Sequence, residues 1–371
     1  MNATRRRVVL VGAGHAHIEV LRRWSLAAPP GATLTLVVDR DCATYSGMVP
    51  GVVAGDYRVD QAEIPVAPLA SRAGADLVID VAARIDARSR TVETAGGRAI
   101  AYDVASIDIG SSVAGLDLPG VREHALATRP VAHLAGEIDR CLAARSGVAT
   151  RVAVVGGGAA GVELSFTLEA RLAHLGSRRE VFLICEREGL LPTYPARVRA
   201  VAARLASRRG IRIEATRRVT AVNEHGLVFE DGTLPAELVV WATGAAPPAL
   251  LADSELVRDA RGFVRVAPTL EVVGQRGLFA VGDCASIDGA EWVPKAGVHA
   301  VREAPVLDAN LRAALAGHPL QHYRPQRDFL SLINLGHRRA LAAKWGFVVT
   351  GRLLWLLKDR IDRGFVAKYR V

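Results

Sequence analysis

Short apolar runs closed by glycines, then longer stretches with apolar residues at helical spacing, alternate along most of this chain. "RRVVLVGAGHAHIEVLRRW", from Arg6, reads as a β-branched strand, a glycine turn and an apolar helix. "TRVAVVGGGAAGVELSFTLEARL", from Thr150, repeats that order. Each unit is followed by a second apolar run that ends in an acid, "TLTLVVD" at Asp39 and "EVFLICE" at Glu186. Farther on, "YDVASIDIGSS" (102–112) parallels "AELVVWATGAA" (236–246), each an apolar strand preceded by an acid and leaving through a glycine, Gly110 or Gly244. The pattern predicts two βαβ units in one α/β protein, because strands buried on both faces read as continuous apolar runs.

The glycines explain what such units hold. Gly12 and Gly156 permit the tight strand-to-helix turn, and Gly14 and Gly158 let the backbone approach a pyrophosphate at a helix N-terminus. Asp39 and Glu186 stand where a carboxylate binds the ribose hydroxyls of an adenosine, with Arg40 beside the first. An acid at Glu186 repels a 2′-phosphate and favours NADH over NADPH, although Arg187 adjoins it. The third glycine of the fingerprint is Gly161 in the second unit but His17 in the first, so the first helix is expected to start displaced. His15 and His17 lie beside the phosphate site, and without accompanying acids or cysteines they are not read as metal ligands.

Composition narrows the classes. The 371 residues suffice for two domains and a short tail. The net charge of +9 comes mostly from scattered arginines, and no zinc-finger spacing, basic helix or aromatic–basic motif accompanies them. Nucleic acid is therefore not an expected partner; anionic cofactors and an anionic membrane surface fit the charge. Cys42, Cys141, Cys185 and Cys284 are far apart, which argues against a disulfide framework and fits a reducing cytoplasm. The N-terminal apolar run is too short for a signal peptide, and no run reaches membrane-spanning length.

"RGLFAVGDCAS" (276–286) ends a buried strand in Gly282–Asp283, and "PKAGVHAVREAPVLDANLRAAL" follows as a helix. This pair resembles the flavin-ribityl motif and flavin helix of the pyridine nucleotide–disulfide oxidoreductase superfamily, and the resemblance covers residues 6–316. It implies FAD on the first unit, a pyridine nucleotide on the second, and Asp283 on a ribityl hydroxyl. It also implies that the NAD domain is inserted in the FAD domain: 1–115 and 245–330 for FAD, 116–244 for NAD(P)H, and 331–371 as a C-terminal segment with an amphipathic helix. Ser46, in "YSGMVPG", would face the flavin, and Lys295, at the head of the flavin helix, would stabilise negative charge on its N1–C2=O edge.

Within the superfamily the chain resembles type II NADH dehydrogenases. It also resembles, more closely through "GHAH", "YSGMVPGVVAGDY", "PKAGVHAVR" and "INLGHRRALAAKWG", the flavoprotein module found fused to selenide, water dikinase; no kinase domain follows here. Disulfide reductases carry CxxxxC after the first acid; here Gly47 stands where the second thiol would be. The resemblance thus implies hydride transfer from NADH to flavin N5 without a redox disulfide, then electron transfer to a small-molecule acceptor. Glu163 resembles the "GVE" glutamate of type II enzymes, which lies where nicotinamide meets flavin; a first-turn acid favouring the helix dipole is the alternative. The glutamines those enzymes carry on the flavin helix correspond to Val298, Arg302 and Glu303, which weakens the case for quinone.

Two other functions stay open: a sulfur or selenium redox enzyme using Cys42 or Cys284, and a non-enzymatic flavin-binding partner or redox sensor. The tail "GRLLWLLKDRIDRGFVAKYRV" places Leu353, Leu354, Leu357, Ile361 and Phe365 at helical spacing beside basic residues. Such a helix can lie on an anionic membrane, which would put the protein at the inner face of the cytoplasmic membrane, or pack on the body or on a partner subunit. The oligomeric state is not fixed by the sequence.

Overall fold

The computed structural model describes residues 5–143, 148–176, 178–186, 189–215 and 217–370. Two five-stranded parallel sheets carry it. The first runs Leu278–Ala280, Val104–Ile107, Arg6–Val11, Ala32–Val38, Ala75–Ile79; the second runs Leu126–Ala127, Leu238–Trp241, Thr150–Val155, Arg179–Cys185, Ile211–Ala215. The inner four strands follow the same order in both, the outer strand coming last in sequence in the first sheet and first in the second, and each sheet has a three-stranded antiparallel companion, 82–101 in the first and 219–235 in the second.

The duplication extends to single hydrogen bonds. Gly12 N–H donates to Val37 O and Gly156 N–H to Ile184 O, each at 2.8 Å. Asp103, ahead of the exit strand, accepts the Arg7 N–H at 2.7 Å; Glu237, at the matching place, accepts the Arg151 N–H at 2.6 Å. The α/β class, the two dinucleotide-binding folds and the insertion of one in the other thus stand as the sequence predicted: the outer strand Leu278–Ala280 returns to the first sheet after the second is complete. Strands Ser112–Val113 and Ala245–Ala246 pair antiparallel where the chain crosses between the two folds.

Alternate residues of one strand serve different layers, as a period of two requires. Val152 and Val154 pack with Val162 and Phe166 of the helix Ala159–His174. Ala153 and Val155 pack with Phe229 and Trp241 beneath the antiparallel companion. The flavin-type helix forms as Gly297–Ala316, with Pro305 accommodated inside it and Gly317 ending it at φ +72°.

The chain then makes an antiparallel meander (Ser331–Asn334, Ala340–Lys344, Phe347–Gly351) and the C-terminal helix Arg352–Tyr369. That helix turns a different face inward from the one its leucines predict. Trp355, Lys358, Asp362, Val366 and Tyr369 are buried, while Leu353, Leu357 and Ile361 of the expected stripe are exposed and Leu354 and Phe365 are half-buried. The buried stripe closes because its charges pair internally: Lys358 Nζ donates to Asp362 at 2.7 Å and to Gly47 O at 2.8 Å.

Candidate functional site

Both fingerprint helices begin one residue after the middle glycine. Gly14 caps the helix His15–Leu26 at φ −65°, ψ 173°, and Gly158 caps Ala159–His174 at φ −69°, ψ 178°. The expected displacement at His17 does not occur along the chain. Its ring is absorbed instead: Nδ1 bonds Gly12 O at 2.7 Å and Nε2 bonds Ser106 Oγ at 2.8 Å. With both nitrogens engaged, and the imidazole pushed down to about 4 by burial, His17 is a neutral structural residue.

Backbone crowding makes glycine obligatory at the first turn. A Cβ on Gly12 or Gly14 would overlap Asp108, and Gly12 lies at φ +89°. Gly282, at φ +68°, approaches the same residue: its Cβ would lie 2.9 Å from Asp108 Oδ1. Asp283 ion-pairs with Arg129 at 3.0 Å, and Ser111 Oγ lies against both. Asp39 closes the second strand half-exposed, bonded to Arg40 at 2.7 Å. His15 is half-buried, its Nε2 enclosed and unpartnered, and its ring meets Tyr45 edge-on. The structure therefore gathers Gly12, Gly14, Gly282 and Asp283, leaving Asp39 and Arg40 at the outer end of the second strand. These residues fit FAD: a backbone cradle at a helix N-terminus, an acid for each sugar-like portion, and a polar ring still free to bond.

A cleft of about 1510 Å³ joins the two halves. Its wall includes Ser46, Gly156, Glu163, Glu186, Gly244 and Lys295. Gly158 also borders it, whereas Gly161 is inside the helix packing, where a Cβ would overlap Gly156 O. Arg187 lies outside the described residues. Ser46 sits at the head of the long helix, its Oγ 3.6 Å from where a Gly297 Cβ would be. Lys295 bonds Ala285 O and lies 4.2 Å from the Phe263 ring centre; burial lowers its pKa.

Of the two readings of Glu163, the helix-dipole one falls away. The helix begins at Ala159 and its first turn holds no acid, so a dipole role for Glu163 does not apply. Its Oε1 accepts the Asn334 N–H at 2.7 Å. Burial pushes its carboxyl up to about 7, opposed by the nearby Lys358 ammonium. From Lys358 the polar strip continues through Asp362 to the Tyr45 hydroxyl, which donates to Asp362 at 3.3 Å. Tyr45 belongs to the loop the sequence placed against the flavin; Lys358, Asp362, Arg129 and Asp108 were not foreseen. For Lys358 and Asp362 the available signal was their i,i+4 spacing within the 355–358–362–366–369 stripe.

The thiols carry no sign of activation. Burial, with Glu63 and Asp41 nearby, pushes Cys42 up to about 11; burial pushes Cys284 up to about 12, and its Sγ bonds Val281 O at 3.1 Å. A reactive thiol needs the opposite surroundings.

Two parallel sheets with the same inner four-strand order, each with a glycine cradle at its first helix and an acid at its second strand, define a flavoprotein with two dinucleotide sites. The chain belongs to the pyridine nucleotide-disulphide oxidoreductase family, whose profile matches residues 6–304. It is 25% identical over 351 residues to the demethylphylloquinone reductase of Synechocystis sp., covering 90% of this chain and 86% of that one. It is also 25% identical to the NADH dehydrogenase-like protein YutJ of Bacillus subtilis, covering 98% and 99%. In fold it matches the sulfide:quinone oxidoreductase of Aquifex aeolicus (TM-score 0.81, 19% identity, 98% and 91% covered). It likewise matches Plasmodium falciparum NDH2 in complex with NADH (TM-score 0.79, 14% identity, 98% and 97% covered). The chain is an FAD-dependent pyridine-nucleotide oxidoreductase of the NADH dehydrogenase-like kind, and it acts without a redox disulfide.

Proposed function

We propose that the chain oxidises NADH and reduces a quinone through FAD, with residues 1–115 and 245–330 holding FAD and 116–244 holding NADH. The observation that carries this is the single cleft running from the second fingerprint to the head of the long helix, where a nicotinamide and a flavin would meet. When bound, FAD takes a hydride from NADH and passes two electrons on, chemistry that depends on placement more than on acid–base help. Gly156, Gly158 and Gly161 shape the NADH pyrophosphate site, and Glu186 holds the adenosine ribose and disfavours a 2′-phosphate. Gly12, Gly14, His15, Asp39, Arg40, Ser46, Gly110, Gly282 and Asp283 shape the FAD site, Gly244 borders the nicotinamide side, and Lys295 offsets negative charge near the long helix.

Quinone reduction by NADH consumes one proton beyond the hydride. Glu163 is placed to hold it: its carboxyl is poised near neutrality, it borders the cleft, and Lys358 sits beside it. The relatives named for quinone or NADH chemistry support the acceptor class. Because Val298 stands where type II enzymes have a glutamine, the headgroup contacts must come from other residues. A lipid-phase acceptor also suits the surface: Trp345, Phe347 and Val349 on the meander and Leu353, Leu357 and Ile361 on the helix are exposed, with Lys344, Arg352 and Arg360 among them. This face lies on an anionic membrane in the proposal. Among the described residues no helix is long and apolar enough to cross one.

Anaerobic mixing tests the chemistry. NADH should bleach the flavin absorbance faster than NADPH does, and a short-chain quinone should restore it. A bleached flavin that quinones reoxidise no faster than buffer would overturn the acceptor, and failure to bleach would overturn the whole proposal. For the surface, Trp345→Asp, Leu353→Asp and Ile361→Asp together should abolish flotation with anionic vesicles while the flavin stays bound; undiminished flotation refutes the membrane face.

A further inference from the structure

Directly beneath the first fingerprint lies a carboxyl that its counterpart lacks. Asp108 N–H donates to Val11 O and Ala242 N–H to Val155 O, each at 2.8 Å, so Asp108 and Ala242 are equivalent positions. Asp108 is 2% exposed, and its Oδ2 accepts the N–H groups of Ala16 at 2.9 Å and His17 at 3.1 Å. Those are free donors of the helix end, the same end that the fingerprint offers to a pyrophosphate. The groups facing Asp108 from neighbouring elements are Glu303 on the long helix, which accepts the Gly282 N–H at 2.6 Å, Asp283, the Cys284 thiol and the neutral His17 ring. None of these is a cation; Arg129 is committed to Asp283, and Lys295 turns to Ala285 O.

We infer that Asp108 is a positioning residue for FAD that carries a proton whenever the pyrophosphate is bound, so that FAD binding takes up one proton and FAD release returns it. This rests on FAD occupying the first fingerprint. A helix end stabilises one added anion, and here a buried carboxylate already occupies two of its donors. A pyrophosphate arriving at that end meets like charge in a water-poor setting, and the pair relaxes when the carboxylate takes a proton from solvent. The neutral acid keeps an oxygen on Ala16 and Asp108's other partner, so the cradle stays in shape. Burial first, then Glu303 and Asp283, push Asp108 up to about 7, where such a proton is within reach at neutral pH. Glu303 is pushed up to about 7 as well, but its acceptor role is on Gly282 and not on the helix end.

The test is the FAD dissociation constant, from serial dilution of the holoenzyme between about pH 6 and pH 9, read as recovered flavin fluorescence. In the wild type it should rise above about pH 7, by at most about tenfold per pH unit for one proton. Asp108→Asn should flatten that slope and bind FAD at least about tenfold more tightly at pH 9, whereas Glu303→Gln should keep the slope. The unmodified protein supplies an independent measurement: near pH 8, in weak buffer with an indicator dye, about one proton should appear per FAD released. A pH-independent constant, no proton release, or a slope removed by Glu303→Gln but kept by Asp108→Asn overturns the inference. A purified protein that holds no FAD defeats the FAD assignment instead, which distinguishes the two failures.

Discussion

The two halves share a frame down to single hydrogen bonds yet differ in residue at two matched positions and in pairing at a third. His17 faces Gly161, Asp108 faces Ala242, and Glu19 faces Glu163, the last two each five residues beyond Gly14 or Gly158. In the first half every difference adds an internal bond. His17 ties Gly12 to Ser106, Asp108 ties the helix end to the exit strand, and Glu19 binds Arg22, Arg23, Lys368 and Tyr369. In the second half the matched residues are small, or, at Glu163, only partly paired, and the cleft opens there. The contrast is what a resident cofactor and an exchanging one require of the same fold: a locked cradle for one, an accessible cradle for the other.

The sharpest way to break that comparison is at the third fingerprint position. Gly161→Ala should cost about 3–5 kcal/mol, because the new methyl would overlap the Gly156 carbonyl and neither backbone can move far within a packed helix–strand contact. The first half escapes that overlap in part because its turn is set differently, Gly12 at φ +89° against Gly156 at φ +126°. The variant should lose NADH-driven bleaching while retaining FAD. A melting temperature and a bleaching rate unchanged from wild type would mean that the glycine is not what holds the second cradle.

How far the sequence disclosed this molecule depends on how local the signal was. The strands and both glycine turns were legible because their apolar runs and turn residues are contiguous, and the repetition of the whole unit fixed the topology. The C-terminal helix was legible as a helix but not in its facing. Hydrophobicity favoured the leucine stripe, while the fold buries Lys358 and Asp362 because they neutralise each other across one turn. Asp108 was hidden for a different reason: it belongs to a strand end whose importance comes from a helix end 92 residues away in sequence. Glu163 was found through its motif, but its partners Asn334 and Lys358 come from the far end of the chain.

Glu19 and Glu163 sharpen the comparison through stability, with opposite signs. Burial alone would raise Glu19, but hydrogen bonds from Arg22, Lys368 and Tyr369 outweigh it and hold the carboxyl down at about 2, below its ordinary 4.5. A depressed acid stabilises the fold above its unfolded value and loses that contribution as pH falls through its folded one. Glu19→Gln should therefore cost about 2–3 kcal/mol between pH 6 and pH 8, the gap closing as pH drops from about 4.5 towards 2. Glu163 is raised to about 7, so its penalty is absent below about 4.5, grows as pH rises and is complete above about 7. Glu163→Gln should stabilise the protein by about 1–2 kcal/mol at pH 8 and leave it unchanged at pH 4.5, the gain held below the full shift because an amide in the same buried place still costs desolvation. Denaturant midpoints of the two variants against wild type across that range decide it. If both variants destabilise at pH 8, Glu163 is an ion-paired anchor like Glu19, and the second half is not the less locked of the two.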